Sequence, residues 1–68
     1  MKPSREVLID GLLAEFVSLE HDGFIEEEGL TYEVYEQRLK AMTYEQLIEE
    51  TGTDEGFPME EWLEAYSQ

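Results

Sequence analysis

This chain has few side chains that could act as a nucleophile or as a general acid or base. His21 is the only histidine, and the 68 residues contain no cysteine. Ser4, Ser18 and Ser67 lie outside any local motif that marks an activated hydroxyl. Carboxylates are so numerous that a pair of them carries no information, and there is no glycine-rich phosphate loop. We therefore predict that the protein is not an enzyme and binds no cofactor.

A calcium loop is the metal site to which the sequence comes nearest. Residues 22–25 resemble the centre of an EF-hand, with Gly23 at the glycine position when the loop is laid on residues 18–29. The first and last ligand positions are then Ser18 and Gly29, where an EF-hand has Asp and a bidentate Glu. Because the two main oxygen ligands are missing, we predict an ordinary glycine turn and no metal site.

Charge is the strongest chemical signal. The chain has 18 Asp and Glu against four Lys and Arg, a net charge of -14. The basic residues fall in two places, namely Lys2 with Arg5 and Arg38 with Lys40. Residues 6–37 carry eight Glu and two Asp without a basic residue, and residues 41–68 carry seven Glu and one Asp. Such a field repels nucleic acid and anionic membranes and attracts basic surfaces.

The length allows one domain, here a single acidic helical domain over residues 1–68. A domain of this size has a thin core, and without cysteine its expected extra support is self-association or a partner. The absence of cysteine fits a reducing compartment. The apolar run after Arg5 is broken by Asp10, Gly11 and Glu15, so neither a signal peptide nor a membrane span is expected. We expect a cytoplasmic protein, in the host cytoplasm if it is phage-encoded.

Apolar spacing predicts an all-α fold of three to four short helices. The first helix is expected to begin after Ser4 and to end at Gly23. Its apolar stripe consists of Leu8, Leu12, Phe16 and Leu19, widened by Ile9 and Leu13. Gly11 interrupts this helix, which lowers helix propensity but can allow another helix to approach closely.

Three further helices follow in the pattern. Thr31 is expected to cap a helix over residues 32–42, and a capping box from Thr43 to Gln46 to begin a third helix that ends at Gly52. Pro58 suits the first position of the last helix. The predicted inner residues are Tyr35, Leu39 and Met42 with Val34 beside them, and then Met59, Trp62, Leu63 and Tyr66.

Residues 42–66 resemble a helix-turn-helix motif, with a capped first helix, a glycine at the turn and a helix where a recognition helix would lie. The resemblance implies a DNA-binding geometry. The charge is inverted, because the second helix carries Glu60, Glu61 and Glu64 and no basic residue. Phosphates would repel this helix, so we predict no direct nucleic-acid binding and a surface turned toward a protein.

In size and charge the chain is similar to small acidic inhibitors that phages encode against nucleic-acid enzymes. We predict an inhibitor or modulator that engages a basic, nucleic-acid-binding site of a partner protein, as a nucleic-acid mimic. The predicted contacts are Glu26, Glu27, Glu28, Glu49, Glu50, Asp54, Glu55, Glu60, Glu61, Glu64, Trp62 and Tyr66.

Two alternatives remain open at this stage. The chain can be an adaptor, an antitoxin or an assembly subunit, including a homo-oligomer, that binds through exposed aromatic residues of its C-terminal helix. The charge can also serve only to keep a small protein in solution. Binding that weakens steeply with salt favours the acidic surface, whereas salt-insensitive binding lost on Trp62→Ala favours the aromatic one.

Overall fold

The structure is a computed structural model that describes residues 3–25 and 27–66. Its four helices are α1 (Arg5–Asp22), α2 (Tyr32–Ala41), α3 (Tyr44–Thr51) and α4 (Met59–Tyr66). No strand occurs in the described ranges, so the predicted all-α fold is confirmed. Within the same ranges, no helix combines the length and the apolar character needed to cross a membrane.

Side-chain caps begin three of the helices, as the sequence predicts. The hydroxyls of Ser4 and Thr31 each accept the backbone N–H three residues further on, over 3.2 Å. At α3 the capping box is complete, because Thr43 Oγ1 accepts from the Gln46 backbone and Gln46 Oε1 accepts from the Thr43 backbone. These bonds satisfy donors of the first turn that have no partner inside the helix.

Glycines end α1 and α3. Gly23 and Gly52 have φ values of 79° and 72°, the left-handed region in which a side chain is disfavoured. After α1 the Phe24 N–H also donates to the Leu19 carbonyl over 2.8 Å, which closes the glycine-capped end. Both ends agree with the prediction.

The ends of α2 and the start of α4 differ slightly from the prediction. α2 ends at Ala41 rather than Met42, because Met42 is extended and leads into the cap of α3. α4 begins at Met59, so Pro58 lies one position before the helix. The Pro58 carbonyl accepts from the backbone of Glu61 and Trp62 and so starts the helical bonding.

α1 lies at the centre, and the other three helices pack mainly on it. The buried apolar residues are Leu8, Leu12, Leu13 and Phe16 of α1, Leu39 of α2, Leu47 of α3 and Trp62 of α4. Because α1 has neighbours on several sides, it needs apolar residues around more than one face. Gly11 is buried on the face that α4 covers, as expected of a glycine that lets a helix approach.

Two residues assigned to the inner faces are instead exposed. Leu19 is 37% exposed and Val34 42% exposed. Leu19 lies in the last turn of α1 and Val34 in the first turn of α2, next to the connector, where no other helix covers them. Helical periodicity identifies a face but not how far along that face a neighbouring helix extends.

The helix-turn-helix geometry is not formed. Residues 52–58 separate α3 from α4, about twice the ~3–4 residues of the turn in that motif. The main packing of both helices is against α1 rather than between the two. The resemblance of residues 42–66 therefore reflects capped helices at similar spacing and not the motif itself.

Candidate acidic interaction surface

Three of the four Lys and Arg side chains lie in the described part of the chain, and all three make contacts within the molecule. The Arg5 guanidinium donates to the backbone carbonyls of Met42 and Lys40, the latter over 3.1 Å. These carbonyls lie at the C-terminus of α2, where the helix dipole favours a cation. Arg5 therefore fixes the start of α1 to the end of α2.

Two further cations pair with carboxylates. Arg38 donates to both carboxylate oxygens of Glu27, over 2.8 and 3.4 Å, and so ties the α1–α2 connector to α2. Lys40 lies 3.9 Å from Glu36, one turn away on α2. Glu27 was predicted as a partner contact, but in this structure its carboxylate is already matched by a cation.

Residues 43–66, which contain α3 and α4, differ in that their carboxylates are not paired with cations in the described part of the chain. Residues 43–66 contain no Lys or Arg, and among the described residues no ion pair reaches their carboxylates. We define the α3–α4 acidic surface as the exposed glutamates of this region, which are Glu45, Glu49, Glu50, Glu55, Glu60, Glu61 and Glu64. Six of these were predicted contacts, and Glu45 was missed although it lies one helical turn before Glu49.

Helix geometry arranges this surface into two rows. Glu45 and Glu49 are four residues apart on the outer side of α3, as are Glu60 and Glu64 on α4. Side chains at this spacing are neighbours, about 5–6 Å apart at Cβ. Their mutual repulsion costs each helix a few tenths of a kcal/mol per pair, which the buried faces must offset.

Asp54, another predicted contact, has a structural role. Its Oδ1 accepts the backbone N–H groups of Gly56 and Phe57 over 2.8 and 2.9 Å. Asp side chains form such turns readily because they reach the backbone two residues ahead. Asp54 therefore shapes the α3–α4 connector and holds Glu55 on the outside of the turn.

The aromatic residues of α4 pack toward the core, and the complete burial of Trp62 argues against its prediction as a contact. Trp62 is 0% exposed, so a partner cannot reach it in this fold. Its Nε1–H donates to Glu15 Oε2 over 3.1 Å. Tyr66 is half-buried with its ring centroid 5.7 Å from that of Trp62. Large side chains at helical spacing fill the core here because few other side chains are large enough to close it.

Tyr35 is a partly buried tyrosine whose hydroxyl has a raised pKa. Its ring stacks on Phe16 with 5.1 Å between centroids and is half-buried. Burial raises the pKa of the Tyr35 hydroxyl to about 12, and the charges of Glu50 and Glu15 add to the effect. Glu50 is the one carboxylate of α3 that contributes to this shift, and its effect is smaller than that of burial.

A shallow depression lies on α3 beside the end of α2. Its volume is about 300 Å³, and it is lined by Met42, Gln46, Glu49 and Glu50. The depression is open to solvent and places two carboxylates around an apolar side chain. Lys and Arg fit such surroundings, because they combine an apolar stem with a charged end.

The remaining predicted residues lie elsewhere. Glu28 is exposed in the α1–α2 connector, and Glu26 lies outside the described residues. Residues 18–22 are helical and therefore do not form a calcium loop. In the described part of the chain, no three His, Cys, Asp or Glu side chains are grouped so that they could hold a metal ion.

Comparisons of the chain with protein-family models, curated proteins and solved structures gave no match. The surface is therefore interpreted from its own chemistry.

Proposed function

We propose that the protein is an inhibitor or modulator that binds a basic, nucleic-acid-binding site of a partner protein through the α3–α4 acidic surface. The observation that carries the proposal is that the exposed carboxylates of α3 and α4 have no ion pair among the described residues. Arg38 and Lys40 pair with Glu27 and Glu36, respectively. Arg5 donates to carbonyls at the end of α2, so none of these three cations is paired with a carboxylate of α3 or α4.

Unpaired, exposed carboxylates suit this role energetically. A carboxylate already in an ion pair gives little additional attraction to an incoming cation, because its field is largely cancelled. The electrostatic field of the glutamates of α3 and α4 extends over a Debye length, about 8–10 Å at physiological salt. These glutamates can therefore attract and orient a basic partner during approach, while their carboxylates are still hydrated.

The spacing of the charges supports nucleic-acid mimicry as the mode of binding. Neighbouring glutamates along α3 or α4 are separated by about 5–6 Å at Cβ. The phosphates of one DNA strand advance by about 3.4 Å along the helix axis. These spacings are of the same order, so Lys and Arg side chains arranged for phosphates can also meet these carboxylates.

The alternative, an adaptor that binds through aromatic residues of α4, has less support. Trp62 is inaccessible, and Tyr66 packs beside it. A role of the charge in keeping the protein in solution does not require that Glu27 and Glu36 are paired while, within the described residues, the carboxylates of α3 and α4 are not.

Two variants of equal charge test the proposal. The first, Glu49→Gln/Glu60→Gln, removes two charges from the α3–α4 acidic surface. The second, Glu6→Gln/Asp10→Asn, removes two charges from exposed positions in the first half of α1, away from its C-terminal end. Immobilised wild-type protein and both variants are used to capture proteins from a bacterial lysate at low salt, and bound proteins are then displaced with duplex DNA or RNA at constant ionic strength.

We expect the wild type to retain a basic nucleic-acid-binding protein that DNA or RNA displaces, and the α3–α4 variant to lose it. The α1 variant should retain most of the binding. Equal loss in the two variants would show that only net charge matters. Retention of the captured protein against saturating nucleic acid would contradict binding at a nucleic-acid site.

A further inference from the structure

The exposed apolar side chains are concentrated at one end of the molecule. Among the described residues, six large hydrophobic side chains are exposed, and five of them lie between positions 17 and 34. We call three of these five the apolar end, namely Leu19, Phe24 and Tyr32; Val17 and Val34 lie two residues from Leu19 and Tyr32 on their helices and therefore face another side. The sixth, Phe57, lies in the other connector.

The fold places these residues at the same end because α1 and α2 are antiparallel. Arg5 at the start of α1 bonds to carbonyls at the end of α2. Further along, Phe16 stacks on Tyr35. The last turn of α1 and the first turn of α2 therefore lie side by side, joined by the connector.

Within this end, Phe24 and Leu19 are brought together by the glycine cap of α1. The Phe24 N–H donates to the Leu19 carbonyl over 2.8 Å, a geometry in which the two side chains are usually in contact. Phe24 is nevertheless 67% exposed, the largest value among the large hydrophobic side chains that the structure describes. An exposed group of large apolar residues rimmed by polar ones is typical of an interaction site.

Carboxylates surround the apolar end. Glu20 and Asp22 are exposed in the last turn of α1, Glu28 in the connector and Glu33 in the first turn of α2. No ion pair in the described residues involves any of these four. An occupant must therefore combine apolar contacts with positive charge.

This requirement selects one occupant. A second copy of the chain would bring its own charge of -14 against the same rim, and an anionic membrane would be repelled in the same way. We propose that the apolar end binds a basic amphipathic helix of a partner protein, which inserts two or three apolar side chains beside Phe24 and sets Lys or Arg against the rim. The proposal rests on the proposed function only in that the partner is basic.

Two synthetic helical peptides separate this docking from simple attraction of charge. The first places Leu at positions i, i+3, i+4 and i+7 of a Lys-rich helix, and the second has Ala in place of each Leu. Binding of each labelled peptide to the full chain is measured by fluorescence anisotropy at two salt concentrations. The peptides carry the same charge, so a difference in affinity measures the apolar contribution.

Phe24→Ala and Phe57→Ala provide a matched pair of variants. Both remove an exposed phenylalanine from a connector, and circular dichroism checks that each retains the helical fold. We expect the Leu peptide to bind at least about tenfold more tightly than the Ala peptide, and Phe24→Ala to remove about tenfold of that affinity. Phe57→Ala should leave the affinity within about twofold of wild type.

Equal binding of the two peptides, or equal loss in the two variants, would overturn the docking proposal. A dimer of the wild type in sedimentation equilibrium that Phe24→Ala dissociates would also overturn it, because the occupant would be a second copy. The proposed function is tested by displacement with nucleic acid and by α3–α4 variants that leave the apolar end intact. Failures of the two proposals are therefore distinguishable.

Discussion

The indole ring of Trp62 lies directly over Gly11, so closely that this position of α1 has no room for a Cβ atom. A Cβ built there would be 2.9 Å from Cζ3 and 3.2 Å from Cζ2, and closer still to Cη2. These are ring atoms of a side chain that is fully buried, so the ring cannot move aside at low cost. The α1–α4 interface therefore depends on the absence of a side chain at position 11.

Gly11→Ala should destabilise the protein although alanine is the better helix former. The gain in helix propensity is about 1 kcal/mol, and overpacking a buried ring costs about 1–3 kcal/mol. Urea unfolding followed by circular dichroism measures the net change. Ala14→Gly, an exposed site on the same helix, gives the propensity effect alone.

The double variant Gly11→Ala/Trp62→Phe tests the contact itself. A phenyl ring is smaller than an indole, so it leaves space for the added methyl group. We expect the two substitutions to couple favourably by about 0.5–3 kcal/mol, the range for residues in contact. Strict additivity of the two free-energy changes would show that the ring does not limit position 11.

Glu15→Ala should destabilise the fold more than an ordinary surface substitution. The change leaves the Trp62 indole N–H without its acceptor at a buried site, which costs about 1–3 kcal/mol. Glu20→Ala removes the same side chain from an exposed position of the same helix and should change stability by less than about 0.5 kcal/mol. Equal effects in thermal unfolding would contradict a structural role for the Trp62–Glu15 hydrogen bond.

Tyr35 should make the protein sensitive to alkali. The pKa of its hydroxyl is raised from 10.0 to about 12 in the folded protein, so below pH 10 the group is protonated in both states. Between pH 10 and 12 the unfolded chain releases this proton while the folded chain keeps it. The free energy of unfolding therefore falls as pH rises through this window.

Tyrosinate absorbance and denaturant unfolding across the same pH range test this. In Tyr35→Phe the slope of stability against pH should become shallower between pH 10 and 12, and one late-titrating hydroxyl should disappear. Tyr35→Phe keeps the stacking on Phe16, so a general loss of packing is not expected. An unchanged slope would show that another group accounts for the alkaline loss.

Added sodium chloride should stabilise the protein. Repulsion among unpaired carboxylates opposes folding, and salt screens it over a Debye length that shortens from about 30 Å at 0.01 M to about 10 Å at 0.1 M. The melting temperature is expected to rise over this range. The rise should be smaller in Glu49→Gln/Glu60→Gln/Glu64→Gln, whose starting value should be higher; a salt-independent wild type would contradict the expectation.

Local signals predicted most of the secondary structure. The caps at Ser4, Thr31 and Thr43 and the terminal glycines Gly23 and Gly52 act over three or four residues, so the sequence contains all that is needed to recognise them. Contacts between helices were harder to predict from the sequence. The sequence indicated that Gly11 allows a close approach, but only the fold shows that Trp62 makes it.

The candidate surface was predictable in composition but not in detail. The density of glutamate after position 43 identified α3 and α4, and even Glu45 could have been found from its spacing to Glu49. The pairing of Glu27 with Arg38 depends on how the connector folds back on α2. The sequence alone could not distinguish Trp62 as a contact from Trp62 as a core residue, because a large aromatic side chain fits both roles.

The central position of α1 has a consequence for how the protein opens. The outer helices share their main interfaces with α1 and not with one another, so each can detach in a local fluctuation while the other two stay in place. α1 has no such route, because its release removes all three main interfaces of the fold. The backbone amides in the middle of α1 should therefore exchange with solvent only when the whole chain unfolds. Those of α4 should exchange faster, because detachment of α4 requires only that Trp62 leaves its contact with Gly11.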